Sequence, residues 1–356
     1  MTLKEQLTAR FPQLTFLENE PLARYTTVGI GGPAEVFCRV SQTPVLQELC
    51  SVAHTEAIPL TILGWGANTL ISDAGIRGLV IKNECSEVTV HEELPPELAP
   101  SITVAARYSA EQAAGSFKYA FSDLDLDESQ AERVLVTCAA GVGLPTAINV
   151  LLSQGITGLQ WYSRIPASIG GAVYNNIHGG THFLSEIIHT ITVLTTENTV
   201  LTLSAHEAEF GYDSSRFHTS GEVILSVTFL LYRGDAEKAK VTAREWAVRK
   251  KLQPQSSLGC VFQNITPEEQ ARLGFSTPSI GYIIEHKLGL QGKTIGGARI
   301  SLQHAAFIEN TGTATAADYV SLIRLISEAA ATQLHIQLKP EIFFKGFTPQ
   351  ELAGIV

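Results

Sequence analysis

Three glycine-rich clusters, each attached to a strand-like apolar run, constrain the fold of this chain more than any other feature. They read "YTTVGIGGPAE" over residues 25–35, "LTILGWGANTLISDAGIRGLVI" over 60–81 and "GLQWYSRIPASIGGAVYNNIHGG" over 158–180. Glycine at a strand end permits a tight turn and lets another group approach the backbone. None of the three has dinucleotide-fingerprint spacing. Gly29, Gly31 and Gly32 do not reach G-x-G-x-x-G, and Pro33 removes the helix that motif requires. A P-loop is excluded in them too, because none of the three contains G-K-[ST]. In "GWGAN", Gly64, Gly66 and Ala67 leave room for a phosphate beside exposed N–H groups, and Asn68 adds an amide donor. That is anion-nest chemistry without a helix dipole. Turns alone account for any single cluster.

The rest of the chain reads as α+β in two or three domains, for which 356 residues suffice. "ITVAARYSAEQAAGSFKYAF" (102–121) reads as strand then helix, and "VLVTCAAGVGLPTAINVLLSQG" (134–155) repeats that order around a glycine turn. "TITVLTTENTVLTLS" predicts a hairpin and "EVILSVTFLLY" a buried strand. "ECSEVTVHEELPPELAPS" and the acidic "FSDLDLDESQAER" read as surface loops. After Tyr232 the composition changes, and "RGDAEKAKVTAREWAVRKKLQPQ" predicts a charged helix that opens a new domain. In "TATAADYVSLIRLISEAAATQ", Thr315 and Asp318 have capping-box spacing ahead of a Val320, Ile323, Ile326 stripe. "HIQLKPEIFFKG" predicts a closing strand.

Hydrophobic residues make up 45% and charged ones 17%, a globular balance. A net charge of -10 argues against a non-specific nucleic-acid binder but leaves room for an anionic substrate held by local Lys and Arg. No apolar run spans a bilayer, and "MTLKEQLTARF" lacks a signal core, so a cytoplasmic protein is expected. The five cysteines are scattered, with no C-x-x-C pair and no histidine at ligand spacing to Cys260. They read as reduced thiols, and no metal site is expected. Cys260, in "SSLGCVFQNIT", remains open as a small buried apolar residue, a nucleophile or an acid.

The order of the clusters adds what no single one carries. Together with "GCVFQN", "GYIIEHKLGLQGKTIGGARISLQHAAFIEN" and "LKPEIFF", they resemble, in sequence order from Tyr25 to Phe344, six motifs of the UDP-N-acetylenolpyruvoylglucosamine reductase family. The "GGAVYNN" form and the short connection between "SSRFH" and "SSLGC" resemble its second subclass. The resemblance implies a two-lobed FAD-binding unit of the vanillyl-alcohol-oxidase type plus a C-terminal α+β substrate-binding domain. The expected division is 1–88 and 89–234 for the FAD lobes, 235–338 for the substrate domain, and 339–356 for a terminal strand and tail near the active site. A monomer acting on a UDP-sugar is expected.

The implied reaction passes hydride from NADPH to non-covalent FAD and then to the enolpyruvyl ether of UDP-N-acetylglucosamine, in peptidoglycan precursor synthesis. Hydride lands on the CH2 carbon, so the carboxylate-bearing carbon must be stabilised as an enolate and then protonated. The family's proton donor is a serine, and Cys260 stands in its place. A thiol, with an ordinary pKa of about 8.5, yields its proton far more readily than an alcohol. Glu341 matches the family's active-site glutamate. Thr27, Gly64, Gly66, Ala67, Asn68, Ile165, Pro166, Gly170 and Gly171 fall on its cofactor motifs, and Tyr212, Lys251, Asn264 and His304 on substrate positions. One departure stands out. The family's catalytic arginine lies in Y-R-x-S-x-F, but this chain reads "GYDSSRFH", with Asp213 at that place. Arg216 and Arg164 are the candidate replacements. The alternatives are a flavin oxidase of the same fold and a catalytically silent UDP-sugar or flavin-binding protein.

Overall fold

The structure is a computed structural model that describes residues 1–98, 101–102, 124, 126, 128, 130–250 and 253–355. Apart from Ile102, the strand and helix expected over 102–121 lie outside these residues, as do part of the acidic run and Lys251.

The first lobe contains α1 (Leu3–Arg10), β1 (Phe16–Pro21), β2 (Pro33–Val40), α2 (Thr43–Thr55), β3 (Leu60–Leu63), β4 (Thr69–Ile71) and β5 (Ile76–Asn83). Its sheet runs β1-β2-β5-β3, with β2, β5 and β3 parallel and β1 antiparallel at the edge. Parallel strands are covered on both faces, hence the nearly continuous apolar run of β5. On one face, α2 buries Leu46, Leu49, Cys50 and Ala53, a single stripe at helical spacing.

The second lobe is an antiparallel sheet. It is built from β6 (Val88–His91), β7 (Glu132–Ala139), β8 (Ile188–Leu194), β9 (Val200–Ser204) and β10 (Val223–Arg233), in the order β9-β8-β10-β7-β6. A two-residue strand, Ile156–Thr157, also pairs with β10. The expected hairpin is β8–β9, and the expected buried strand is β10. β6 falls inside a stretch that reads as a loop. Its Val88-Thr89-Val90-His91 alternation pairs with β7 at the edge of the sheet. Helices α3 (Leu144–Ser153) and α4 (Ile169–Tyr174) sit between these strands in sequence. The charged helix α5 (Ala236–Lys250) precedes the C-terminal strands. Trp246 and Ala239 are buried, and Trp246 meets the Trp161 ring edge-on at 6.1 Å, so the helix docks on the second lobe.

The C-terminal domain pairs β11 (Ser257–Cys260), β12 (Thr294–Ile295), β13 (Ala298–Ile300) and β14 (Phe307–Asn310) in the order β11-β14-β13-β12. Its helices include α6 (Pro267–Leu273) and α7 (Ala316–Leu334). Thr315 caps α7 by accepting from the Asp318 N–H, as its spacing predicts. Asp73 of the first lobe completes that end, accepting from the Ala316 and Ala317 N–H groups at 2.9 and 3.1 Å. The tail is not one long strand. β15 (Phe343–Lys345) leaves the domain and pairs in parallel with β4. Val28, Ile30 and Leu70 of the first lobe are buried in the C-terminal core, so these two units share one interior.

Candidate active site

The glycine clusters, β11 and the tail converge on one cavity of ≈ 850 Å³. Thr27, Gly64, Gly66, Ala67, Asn68, Ile165, Pro166, Gly170 and Gly171 all line it. Two glycines here are required by contact. At Gly66, φ is +60° and a Cβ would stand 2.2 Å from the Tyr25 carbonyl oxygen. At Gly64 a Cβ would stand 2.4 Å from Ser168 Oγ, so the second and third clusters meet only because that side chain is missing. Ser168 caps α4 by accepting from the Gly171 N–H at 3.2 Å. Lys82 Nζ donates to the Gly64 carbonyl from behind the loop, and burial lowers its pKa. Among the described residues, none accepts from the backbone N–H groups of Trp65, Gly66, Ala67 or Asn68. A glycine-lined cleft with a run of unused N–H groups fits an extended FAD with its diphosphate at residues 64–68.

Cys260 and Glu341 line the same cavity from the C-terminal side. Cys260 ends β11 and follows Gly259 at φ +83°. Its side chain is only partly buried, whereas Cys38, Cys50, Cys85 and Cys138 are fully buried. Burial pushes the Cys38, Cys50 and Cys138 thiols up to about 12 and Cys85 to about 11, which leaves them inert packing groups. The Glu341 N–H donates to the Val261 carbonyl at 2.8 Å, fixing the tail beside the residue that follows Cys260.

Of the two candidate arginines, only Arg164 is on the cavity. It is exposed, with φ +62°. Arg216 is turned away. Its Nε and Nη2 donate to both oxygens of Glu222 at 3.0 and 2.9 Å, and Nη1 to the Glu207 carbonyl at 3.1 Å. The helical turn Phe217–Ser220 begins only after Arg216, and the nearby Glu222 carboxylate captures the guanidinium. Tyr212, Asn264 and His304 are not on the cavity wall. Asn264 Nδ2 donates to Tyr212 Oη at 3.4 Å, a link between the second lobe and the C-terminal domain. His304 is half-buried behind Gly281. Its Nδ1 accepts from the Ala306 N–H at 3.3 Å, and burial lowers its pKa.

Sequence reasoning missed several wall residues: Tyr174, His178, Glu222 and Lys345. Burial raises the Tyr174 hydroxyl, and the ring meets Phe343 edge-on and His218 at a tilt. Tyr174 and His178 lie inside the third glycine cluster, which is the one signal that pointed to them. No group of three potential metal ligands occurs among the described residues.

Comparison with known proteins agrees with this geometry. Residues 251–344 match the UDP-N-acetylenolpyruvoylglucosamine reductase C-terminal domain, and residues 120–204 an FAD binding domain. A UDP-N-acetylenolpyruvoylglucosamine reductase of Pediococcus pentosaceus is 31% identical over 96% of this chain and 97% of its own. One of Lactobacillus gasseri is 31% identical over 91% of this chain and 92% of its own. The crystal structure of the reductase of Thermus caldophilus covers 93% of this chain and 98% of its own, with a TM-score of 0.66 at 26% identity. With identity at this level sustained over nearly the whole length, the chain belongs to the UDP-N-acetylenolpyruvoylglucosamine reductase family.

Proposed function

We propose that the protein reduces the enolpyruvyl ether of UDP-N-acetylglucosamine to UDP-N-acetylmuramate, with NADPH as donor and FAD held non-covalently. One observation carries this reading: Cys260 and Glu341 face the same cavity as the glycine cradle of residues 64–68. FAD, when bound, supplies the two-electron relay that takes hydride from NADPH to the methylene carbon. The protein's own side chains then have two tasks, charge stabilisation and protonation.

Cys260 is the proposed proton donor to the α-carbon, with Glu341 beside it as an acid or through a bound water. Arg164 is the proposed cation toward the substrate carboxylate. Arg216 is committed to Glu222 and does not serve there. Lys251 is the proposed partner of the diphosphate. Tyr212 and Asn264 act by holding the second lobe against the C-terminal domain, and His304 by supporting the turn at Gly281. The reading takes the enzyme as a cytoplasmic monomer with no nucleic-acid partner. The names of the relatives favour the reductase over a flavin oxidase.

The test uses the purified, yellow holoprotein. Acid precipitation should leave the flavin in the supernatant, and flavin in the pellet counts against non-covalent binding. NADPH should bleach the flavin, and the enolpyruvyl substrate should restore its colour with formation of UDP-N-acetylmuramate. Bleaching without reoxidation by substrate sinks the reading.

A further inference from the structure

Trp65 stands apart from the other tryptophans. Trp161 and Trp246 are 5% and 6% exposed, whereas Trp65 is 38% exposed. It lines the cavity from within the glycine cradle, between Gly64 and Gly66. Among the described residues, no group accepts from its indole N–H and no second ring packs on it. An indole is a large apolar surface with one polar handle, and leaving that surface to water is unfavourable. A ligand lying over the ring would remove the penalty.

The indole is placed from two sides. Within the first lobe, Lys82 Nζ donates to the Gly64 carbonyl, and the Thr27 N–H donates to the Gly66 carbonyl at 3.3 Å. The residues flanking Trp65 are thus both tied down. Across the seam, the indole meets Gly143 of the second lobe, where a Cβ would stand 2.7 Å from Trp65 Cζ2 and 3.4 Å from Cε2. Gly143 has φ −65° and ψ 127°, an extended conformation open to any residue. Its missing side chain therefore serves space and not backbone freedom: it makes the notch that receives the indole. The notch is itself held, by bonds from the Leu144 N–H to the Ala167 carbonyl at 2.8 Å and from the Ala147 N–H to the Gly143 carbonyl at 2.9 Å. Trp65 reaches from one lobe to the other beside the unused N–H groups of the cradle.

We propose that Trp65 is a clasp that retains FAD: one side of the indole sits in the Gly143 notch, and the other covers the bound dinucleotide beside its diphosphate. This rests on the FAD assignment above and goes beyond it, because the cradle's N–H groups can bind phosphate whatever side chain stands between the two glycines. Covering a nucleotide ring with an aromatic side chain is worth roughly 5- to 100-fold in affinity. Such a gain is expressed mainly as slower release.

The experiment follows release of flavin from the purified yellow protein after dilution, read as the rate at which flavin enters a filtrate. Trp65→Ala should speed release about tenfold or more. Gly143→Ala fills the notch and displaces the indole without touching the cradle, and it should speed release as well. Both changes act on one contact, so the double variant should release flavin no faster than Trp65→Ala alone. Trp65→Phe keeps an apolar ring and should retain flavin better than Trp65→Ala. Acrylamide quenching gives a second readout. The emission lost in Trp65→Phe belongs to Trp65, and it should be shielded in the yellow protein and accessible once flavin is removed. Parental release from Trp65→Ala overturns the inference, as do additive effects of the two alanine changes or equal accessibility of Trp65 with and without flavin. If Trp65→Ala does not fold, Gly143→Ala, Trp65→Phe and the quenching measurement decide by the same criteria. A parent that takes up no FAD overturns the FAD assignment, and this inference with it. A yellow parent with unaffected variants overturns the inference alone.

Discussion

Asn68, in the loop after β3, donates through Nδ2 to the main-chain carbonyl of Glu341 at 3.2 Å, across 273 residues of sequence. The Phe343 N–H returns a bond to the Asn68 carbonyl at 2.9 Å. The backbone that carries the Glu341 carboxylate is therefore sewn to the loop proposed to hold the FAD diphosphate. Asn68→Ala removes one neutral hydrogen bond, worth about 1 kcal/mol, so Tm should fall by only a few degrees. Activity should fall further, by roughly tenfold, because the tail loses its register at the reacting centre. Calorimetry and steady-state kinetics on the same preparation check this. A parental kcat at lowered Tm would mean that the bond is structural only.

The two arginines should separate cleanly. Arg216→Ala strands the Glu222 carboxylate, whose side chain is 6% exposed, and should cost about 2–3 kcal/mol of stability. Reoxidation of the flavin by substrate should stay near the parent rate. Arg164, exposed and without an ion-pair partner among the described residues, should behave in the opposite way. Arg164→Ala should leave stability within about 0.5 kcal/mol of the parent and slow reoxidation about 10²–10³-fold. Stopped-flow spectra of the two half-reactions, beside urea unfolding curves, distinguish them. Parallel behaviour of the two variants would contradict the assignment.

Acid should destabilise the fold through His304. Burial lowers its pKa below the ordinary value of about 6.5, and its Nδ1 is already occupied as the acceptor of the Ala306 N–H. Below that ordinary value the unfolded chain takes up a proton that the folded chain refuses. Stability contributed by the neutral ring is thus present above pH about 6.5 and lost as pH falls, with a limiting slope of about 1.4 kcal/mol per pH unit. His218 shifts the same way, with burial again the leading cause. His304→Asn, whose Oδ1 can still accept from Ala306, should show a shallower decline of Tm between pH 6.5 and 5. Parallel declines in scanning calorimetry would exonerate His304.

Elements with a strict period were legible in the sequence. The β8–β9 hairpin, the buried β10 and the capped α7 follow from local residue order alone. So did the glycine cradle, because a missing side chain is itself a statement about close approach. Long-range capture was not legible. Nothing near "FGYDSSRFH" says that the Arg216 guanidinium will close on Glu222, because that pairing depends on how the chain folds back after the turn at Phe217–Ser220. The charged α5 reads as a solvated element opening a new domain, yet buried Trp246 pins it to the second lobe. His178 is one histidine in a loop until Asp213 is placed beside it by a tertiary turn.

Cys260 carries the most specific chemical expectation. It ends β11 on the cavity wall, partly exposed, while the other four cysteines are buried with strongly raised pKa values. If its thiol delivers the proton to the α-carbon, Cys260→Ser should retain activity, because a hydroxyl then stands where the family resemblance expects one. Cys260→Ala should still allow NADPH to reduce the flavin. Quenching of the enolate is what should fail, with a loss of about 10²–10⁴-fold in turnover. A methyl in place of a thiomethyl at a half-exposed site should cost far less than that through packing. Turnover in D2O, with the product's α-position read by NMR, separates the cases. An alanine variant that turns over at the parent rate and gives the parent's stereochemistry would reduce Cys260 to a wall residue and pass the proton to Glu341. A slow variant whose product is scrambled at the α-carbon would mean that the thiol sets both the rate and the face of protonation.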